Sequence, residues 1–246
     1  MPKYFVPQPL EPNTSTTIEG ETAHHLLTVL RLKPGATITL ANNGNATDYT
    51  ATVTETTRHS ITLHITTAHP TNTELPHHIT LYQCMPKLDK LELITQKTTE
   101  LGIHHIVHVI SSRAIIGKGS IDKIISRCNR IAESAAGQSM RNHIPTIAPL
   151  TPFAEAIQQA KNTHNIIAYE SQTHPSLSLQ DAYQPTHTSI WIGPEGGFSP
   201  EEIHQLTTQL NATPITLGPR ILRTETAAIT LTANIAMLME NKGAQT

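Results

Sequence analysis

The fold is best read outward from Ser189-Ile190-Trp191-Ile192-Gly193-Pro194-Glu195-Gly196-Gly197-Phe198-Ser199-Pro200-Glu201-Glu202. Its first residues are an apolar run typical of a buried strand. Ser199 then predicts a helix N-cap, with Pro200 at the first helical position and Glu202 completing a capping box. The glycines between them permit positive φ and close approach of the backbone to a ligand. The stretch therefore predicts a strand, a tight loop and a capped helix.

A second glycine loop follows at Leu217-Gly218-Pro219-Arg220-Ile221-Leu222-Arg223-Thr224-Glu225-Thr226. Two arginines and a glutamate stand there between an apolar strand and a helix, where charged side chains gain nothing from the core and must face solvent, a partner or a ligand. In an open parallel sheet, ligands bind beyond the carboxyl ends of the strands. We therefore expect the two loops to form one cage, in which backbone groups recognise adenine and Ile221 and Leu222 enclose its ring.

The chain around these loops alternates extended and helical segments. Apolar spacing predicts strands at residues 79–85, 103–110, 165–169, 189–192 and 214–217. Helices are predicted at residues 87–101, 120–141, 151–162, 200–210 and from the second loop to about 239. Such alternation is typical of an α/β domain with a mostly parallel sheet.

The first seventy residues have a different pattern. Ala36–Leu40 and Ser60–Ile65 alternate apolar with polar residues, and Asn42-Asn43-Gly44 supplies a turn. With one helical candidate, these short strands predict a small β-barrel. The polar, proline-bracketed segment His69–Pro76 is typical of a linker. We predict domains at 1–70 and 77–246, joined by a linker at 71–76.

Charge is balanced overall but segregated locally. The formal net charge is −2, so the whole chain has no attraction for nucleic acid. Residues 113–141 nevertheless hold six basic residues against two acidic ones, whereas residues 142–217 hold only one lysine against six acids. In the predicted helix the basic side chains recur opposite an apolar isoleucine stripe. That pattern is typical of a solvated helix face and also of a surface that follows RNA phosphates.

Cysteine, apolar and histidine residues indicate the cellular compartment and whether a metal site is expected. Cys84 and Cys128 are too few for a disulfide framework, and no apolar run of about twenty residues occurs. We expect a cytoplasmic protein without membrane contact. The doublets His24-His25, His77-His78 and His104-His105 lack the ligand spacing of a zinc site, so no metal is predicted.

The chain resembles one family along nearly its whole length, the ribosomal RNA small subunit methyltransferase E family of the SPOUT superfamily. The resemblance lies in the two loops and in three further segments, which are His24–Arg31, Glu92–Gly102 and Gln138–Arg141. It implies methylation of N3 of a uridine in small-subunit (16S) ribosomal RNA, with S-adenosylmethionine as cofactor. It also implies a PUA-like N-terminal barrel, a C-terminal SPOUT α/β domain with a deep trefoil knot, a homodimer, and rRNA or the assembled small subunit as partner.

The candidate site residues follow from the loops and this resemblance. Arg223 is expected to stabilise negative charge on a deprotonated uracil, and Glu195 to orient the base or cofactor. Glu225, the third catalytic candidate, is expected to flank the mouth of the cage with Arg223. The structural alternatives are a salt bridge from Arg223 to Glu225 or to the partner subunit, and a turn carboxylate at Glu195 that accepts N–H groups. The cofactor-binding candidates are Tyr169, Glu170, Ile192, Gly193, Pro194, Glu195, Gly196, Gly197, Leu217, Gly218, Ile221, Leu222 and Thr226. The RNA-binding candidates are Lys3, Arg31, Lys33, Lys123, Arg127, Arg130 and Arg141.

Two residues depart from the family pattern, in which an arginine usually stands at Lys3 and a glutamate at Gly137. Two other functions also remain open at this stage. One is a knotted methyltransferase acting on ribose 2'-OH, and the other is a non-catalytic RNA-binding or ribosome-assembly factor. A hydrolase, a P-loop enzyme and an NAD enzyme are disfavoured because their glycine motifs are absent.

Overall fold

A computed structural model describes residues 2–114, 121–169 and 177–243. The chain divides into two compact units. The first comprises Met1–Glu74 together with Ala136–Ile144, and the second comprises Leu75–Ala135 and Pro145–Thr246. From the sequence, residues 136–144 were expected in the second domain, whereas the structure groups them with the first unit.

The first unit is built on a five-stranded sheet. Its strands are β1 (Lys3–Phe5), β2 (Ser15–Glu19), β3 (Thr37–Ala41), β4 (Thr47–Thr56) and β5 (Ser60–Pro70). They are ordered β1-β3-β4-β5-β2, with β1 parallel to β3 and the other pairs antiparallel. The helical candidate forms α1 (Gly20–His24), which continues as a π-helical turn at His25–Val29. Among the described residues no pairing joins β1 to β2, so closure into a barrel remains a prediction.

The core of this unit follows from the alternation seen in the sequence. Leu40, Ile61, Leu63 and Ile65 are fully buried and pack against Leu26 of the π-helical turn. Their polar neighbours along the strands face outward, as expected for a sheet with one solvated side.

Residues 136–144 belong to the first unit because they complete a polar cluster there. The guanidinium of Arg141 donates from Nε to a Glu74 carboxylate oxygen at 3.1 Å. The amine of Lys3 is paired with Asp48 and donates to Asn142 Oδ1 at 3.2 Å. Glu74, predicted to lie in a free linker, is thereby anchored.

This cluster corrects the predicted RNA-binding roles of Lys3 and Arg141. The two residues are 2% and 3% exposed, and their charged groups are satisfied inside the unit. Charged groups that are buried and already paired in this way cannot contact an RNA phosphate. A charge pattern along the chain cannot reveal such partners, because Glu74 is separated from Arg141 by 67 positions.

The same cluster explains the glycine at position 137. A Cβ atom there would lie 2.4 Å from the backbone carbonyl oxygen of Lys3, closer than real atoms approach. Any side chain at Gly137, including the glutamate expected there from the resemblance, would therefore displace the β1 backbone. The two positions that depart from the expected pattern, Lys3 and Gly137, are neighbours in space.

The second unit contains a parallel sheet with helices between its strands. The strands are β6 (Ile79–Cys84), β7 (His105–Ile110), β8 (Thr146–Ile147), β9 (Thr151–Pro152), β10 (His164–Ala168), β11 (Thr188–Ile192) and β12 (Thr213–Ile215). Their order is β12-β10-β11-β6-β7-β8, and β9 also pairs with β7. The helices are α2 (Leu88–Glu100), α3 (Ile121–Gln138), α4 (Phe153–Gln159), α5 (Leu179–Ala182), α6 (Pro200–Gln209) and α7 (Thr224–Gly243). The predicted α/β class is confirmed.

The middle of this sheet is buried on both faces. All five residues of β11 are buried, as expected for a parallel strand covered by helices. Trp191 stacks on Tyr82 with ring centroids 4.3 Å apart and donates its indole N–H to Asn165 Oδ1 at 2.9 Å. This buried hydrogen bond satisfies the single polar atom of the ring.

Strand order positions the two glycine loops. β10 lies between β12 and β11 and is parallel to both. The carboxyl ends of these three strands therefore open onto the same edge of the sheet. The loop after β11 and the loop after β12 meet there, as the sequence predicted.

Candidate cofactor cavity and active site

A cavity of about 830 Å³ lies at this edge of the second unit. Candidate cofactor residues that line it are Tyr169, Ile192, Gly193, Pro194, Glu195, Gly196, Gly197, Leu217, Gly218, Ile221 and Leu222. The catalytic candidates Arg223 and Glu225 line it as well. Thr226 is exposed on α7 and is not among the lining residues, and Glu170 lies outside the described residues.

The loop after β11 is tightly folded, and two of its glycines are needed for different reasons. Gly197 has φ 67°, a conformation that favours glycine, and its N–H donates to the Pro194 carbonyl at 2.9 Å. A Cβ atom on Gly193 would lie 3.2 Å from backbone atoms of Gly197 and Phe198. The loop thus closes on itself, and a side chain at Gly193 would require the backbone of Gly197 and Phe198 to shift.

The helix after this loop starts with the predicted capping box. The Glu202 N–H donates to Ser199 Oγ at 3.2 Å, and the Ser199 N–H donates to Glu202 Oε2 at 2.8 Å. The other Glu202 oxygen accepts the Ser112 N–H at 2.6 Å. One buried carboxylate therefore fixes both the start of α6 and the loop after β7.

Arg113, in the loop after β7, braces the glycine loop from outside. Its Nη1 donates to the carbonyl oxygens of Gly196 at 2.8 Å and of Phe198 at 3.3 Å. In the sequence, Arg113 stood out only as part of a basic region. Its position could not be read from sequence, because the loops after β7 and β11 meet only once the strand order is known.

Glu195 is engaged in a backbone contact. Its Oε1 accepts the N–H of Lys87, the residue that precedes α2, at 3.0 Å. This matches the alternative role in which Glu195 is a loop carboxylate that accepts N–H groups. The contact joins the loop after β11 to the loop after β6.

A buried relay joins the two glycine loops. The Thr224 hydroxyl donates to the Gly193 carbonyl at 2.7 Å, and Gln83 Nε2 donates to the Thr224 hydroxyl at 3.0 Å. Gln83 is fully buried at the end of β6 and Thr224 is 6% exposed. The first residue of α7 is thereby fixed against the start of the other loop.

The loop after β12 is held mainly at its own beginning. Gly218 has φ 106°, its N–H donates to Thr216 Oγ1 at 3.1 Å, and that hydroxyl donates to the Gly218 carbonyl at 3.2 Å. Further along, the Ile221 side chain is 92% exposed. The apolar surface of Ile221 is therefore almost entirely in solvent.

Glu225 and Arg223 differ in their surroundings. Glu225 is buried and pairs with Lys90 Nζ at 3.1 Å. Burial alone would raise the pKa of Glu225, but hydrogen bonds from its own backbone N–H and from Lys90, with the charges of Lys90 and Arg223, lower it below the ordinary value. Arg223 is exposed and makes no ion pair within the described residues. Glu225 is thus paired with Lys90, and the alternative of an Arg223–Glu225 salt bridge is not formed within the described residues.

The part of the chain that the structure describes holds no group of three His, Cys, Asp or Glu residues able to bind a metal ion. Within the same ranges, every helix is too short or too polar to cross a membrane.

Family models match both units. Residues 73–236 match an RNA methyltransferase domain, and residues 18–66 match an RNA methyltransferase PUA domain. The ribosomal RNA small subunit methyltransferase E of Bacillus subtilis is 31% identical over 241 residues, covering 93% of each chain. The protein of that description from Mesomycoplasma hyopneumoniae is 36% identical and covers 65% of this chain and 70% of its own.

The chain belongs to the ribosomal RNA small subunit methyltransferase E family. The resemblance found in the sequence is thereby confirmed. A family member from Neisseria gonorrhoeae, in a crystal structure bound to S-adenosyl methionine, matches this methyltransferase with a TM-score of 0.87 at 32% identity. It covers 97% of this chain and 98% of its own. A methyltransferase from Legionella pneumophila with bound cofactor SAM matches at 0.86 and 30% identity, covering 96% and 97%.

The remaining RNA-binding candidates of this methyltransferase lie on the surface. Arg31 and Lys33 are exposed in the first unit, at the end of the π-helical turn. On α3, Lys123, Arg127 and Arg130 are exposed. Arg127 forms an ion pair of 2.7 Å with Glu92 of α2, so part of the basic face is already neutralised.

Proposed function

We propose that this chain uses S-adenosylmethionine to methylate N3 of a uridine in small-subunit ribosomal RNA. The observation that carries the proposal is the convergence of both glycine loops on one cavity with a free arginine at its mouth. Membership of the methyltransferase E family, whose Neisseria member binds S-adenosyl methionine, supports the cofactor and the class of substrate. Such an activity belongs in the cytoplasm, with rRNA or the small subunit as partner.

The cavity suits this cofactor in size and lining. Its volume falls within the range of about 300–1,000 Å³ found for small-molecule sites. Glycine at position 193 allows the loop to fold tightly enough to present backbone N–H and C=O groups. We assign cofactor binding to the backbone groups of these two loops, to the side chains of Ile221 and Leu222, and to Tyr169. The Tyr169 N–H donates to the Ile215 carbonyl at 3.2 Å and so joins β10 to β12.

When bound, the cofactor supplies a methyl group already activated as a sulfonium, so the protein's task is to orient and ionise the base. Removing the N3 proton leaves negative charge on uracil. The exposed guanidinium of Arg223 is suited to stabilise that charge, because it lies at the cavity mouth without a counter-ion in the described ranges.

Glu225 is better suited to orientation than to proton removal. Its pKa is lowered, so its carboxylate is a weak base near neutral pH. Lys90 holds the Glu225 side chain in place beside the helix that carries Arg223.

We extend the proposal to the knot and the dimer expected from the family. After the edge strand β12, α7 returns to pack against β11 and β6 in the middle of the sheet, which is compatible with a knotted C-terminal segment.

The dimer is supported by apolar side chains left exposed on α2 and α7. The α7 sequence is apolar around most of its circumference, yet Met237 on α7 is 53% exposed and Leu93 on α2 is 40% exposed. A helix apolar on all sides is typically buried, which favours a second copy against α2 and α7. Light scattering should then give twice 26.9 kDa.

The function is tested by binding and by product analysis. At S-adenosylmethionine concentrations of 100 times Kd, folding should gain about 2.7 kcal/mol and Tm should rise by roughly 5–10 °C. Mass spectrometry of small-subunit rRNA nucleosides should find 3-methyluridine lost when the gene is deleted and restored by complementation. No calorimetric heat and no thermal shift would refute the methyltransferase proposal, and loss of a 2'-O-methyl nucleoside instead would move the target to ribose.

A further inference from the structure

The cavity of the second unit carries more positive charge than its cofactor needs. Its described lining holds two carboxylates, Glu195 and Glu225, against five basic residues, which are Lys87, Lys90, Arg113, Arg220 and Arg223. A positive cavity attracts anions and raises their local concentration. S-adenosylmethionine itself carries a sulfonium, so this excess charge favours a different, anionic ligand.

Three of the five basic residues already have a task. Lys90 is paired with Glu225, and Arg113 donates to loop carbonyl oxygens. Arg223 is assigned above to the charge on the base. Lys87 and Arg220 remain.

Lys87 is exposed at the loop after β6, immediately before α2. Its backbone is fixed because its N–H donates to Glu195, but its amine has no hydrogen bond or ion pair within the described residues. The amino end of the thirteen-residue helix α2 adds partial positive charge at the same place. The Lys87 amine is therefore held at the cavity and free to bind an anion.

Arg220 is exposed in the loop after β12. One Nη atom lies 3.7 Å from where a Cβ on Gly218 would stand, so the guanidinium folds back over the glycine. A side chain at Gly218 would crowd it. Across the described ranges no carboxylate neutralises Arg220.

The strand order sets the separation between Lys87 and Arg220 and so indicates whether they bind one phosphate or two. β6 and β12 are three places apart in the sheet, with β11 and β10 between them. Adjacent strands are about 4.8 Å apart, so the two strand ends are separated by roughly 14 Å. This spacing favours two different phosphates, one bound by Lys87 beside the end of β6 and one by Arg220 beside the end of β12.

We propose that Lys87 and Arg220 form a phosphate clamp for single-stranded RNA, each binding a phosphate on a different side of the nucleotide whose base enters the cavity. This inference rests on the proposed function, since it requires an RNA substrate at this cavity. It places the main electrostatic contact at the cavity mouth, whereas the RNA-binding candidates from the sequence lie on α3 and in the first unit. A clamp of this kind holds a nucleotide that has left its helix, because duplex phosphates would not pass on both sides of the cavity.

The test compares Lys87→Ala/Arg220→Ala with the parent by fluorescence anisotropy, using a fluorescein-labelled ten-nucleotide oligouridylate at several salt concentrations. Each lost phosphate contact should reduce the slope of log Kd against log[salt] by about 0.7, and the double variant by about 1.4. RNA affinity should fall about tenfold at 0.1 M salt. Calorimetry should give an unchanged Kd for S-adenosylmethionine.

A matched control is Arg58→Ala/Lys161→Ala, which removes the same charge. Arg58 is exposed between β4 and β5, and Lys161 is exposed before β10, at the sheet edge opposite the cavity. This control should leave the slope unchanged.

An unchanged slope in the Lys87/Arg220 variant, or an equal loss in the control, overturns the clamp. A parallel loss of S-adenosylmethionine affinity overturns it too, because the cations would then serve the cofactor's carboxylate. If the parent enzyme transfers methyl groups but the Lys87/Arg220 variant keeps the parental salt slope for RNA binding, the clamp is refuted and the proposed function is not. If the parent enzyme neither binds S-adenosylmethionine nor transfers methyl groups, the proposed function itself is refuted.

Discussion

The two glycine loops look alike in sequence, but they are held very differently. The loop after β11 is braced by the guanidinium of Arg113, by the N–H of Lys87 and by the Thr224 hydroxyl. The loop after β12 has internal hydrogen bonds around Gly218 and then exposes Ile221 almost fully. Both line the cavity, and the second loop is fixed at its end, where Thr224 and Glu225 contact other elements, but its middle around Ile221 has no such contact among the described residues.

This difference assigns the loops different tasks. A braced loop is preorganised, so its backbone groups bind a ligand without an ordering cost. A loop with exposed apolar and cationic side chains acquires contacts only when a ligand arrives. We therefore expect changes in the first loop to have the larger effect on cofactor binding, and changes in the second to act mainly on methyl transfer and RNA.

The largest expected effect is that of Gly193→Val. Its Cβ atom would lie only 3.2 Å from backbone atoms of the same loop, and the two valine methyl groups add further volume there, so the loop must shift to accommodate it. The Kd for S-adenosylmethionine, measured by calorimetry, should rise more than about 100-fold, equivalent to roughly 2.7 kcal/mol. Gly196→Ala is the control, because a Cβ there meets Arg113 at an ordinary 3.5 Å. Equal behaviour of the two variants would contradict the tight closure at Gly193.

Arg223→Ala tests the second loop. Losing the guanidinium at the cavity mouth should lower kcat about 100-fold while changing the cofactor Kd less than about twofold. Single-turnover transfer of labelled methyl to small-subunit rRNA measures the step. Transfer at the parental rate would remove Arg223 from the mechanism.

Arg113→Ala should weaken the brace without breaking the loop. Two charge-assisted hydrogen bonds at a partly exposed site predict a cofactor Kd about tenfold higher, with kcat little changed at saturating cofactor. Arg113→Lys, which keeps the charge but not the planar fork, should be intermediate. A fall in kcat with an unchanged cofactor Kd would argue for direct contact with the substrate instead.

Ile221→Ala should have a smaller effect, visible only with ligand. Its side chain is 92% exposed in the free protein, so Tm without ligand should not move. If the loop closes over the cofactor and buries part of this side chain, the variant should bind it about fivefold more weakly. A lower Tm in the free protein would mean that Ile221 already has a packing role.

The smallest effect concerns pH. Because the folded pKa of Glu225 is lowered, its pair with Lys90 stabilises the fold above the ordinary carboxyl pKa and loses that contribution as pH falls through the folded pKa. Glu225→Gln should therefore cost less than about 1 kcal/mol at pH 7 and a smaller amount at pH 3. Urea unfolding at both pH values measures the cost, and an equal cost at pH 3 would point to packing.

The fold class and the meeting of the loops were accessible from sequence because they depend on local patterns. Apolar runs and caps predict β11 and α6, and parallel strands bring their carboxyl ends to one edge. Gln83, Lys90 and Arg113 were missed as site residues because they come from β6, from α2 and from the loop after β7. Their contribution depends on β6 lying beside β11, and no local pattern encodes that order.

The errors have the same origin. Lys3 and Arg141 are basic residues in suitable places, but Asp48 and Glu74 neutralise them across long stretches of chain. Sequence shows the charge, whereas burial and pairing decide whether it is available to RNA.

The composition of the first unit from two separated segments also has a consequence for synthesis. Lys3 finds its Asn142 partner 139 positions later in the chain. At about 5–20 residues per second, translation delivers that partner roughly 7–28 s after Lys3. The nascent N-terminal sheet therefore keeps a charged lysine not yet fully satisfied until the first segment of the second unit, Leu75–Ala135, has also been synthesised.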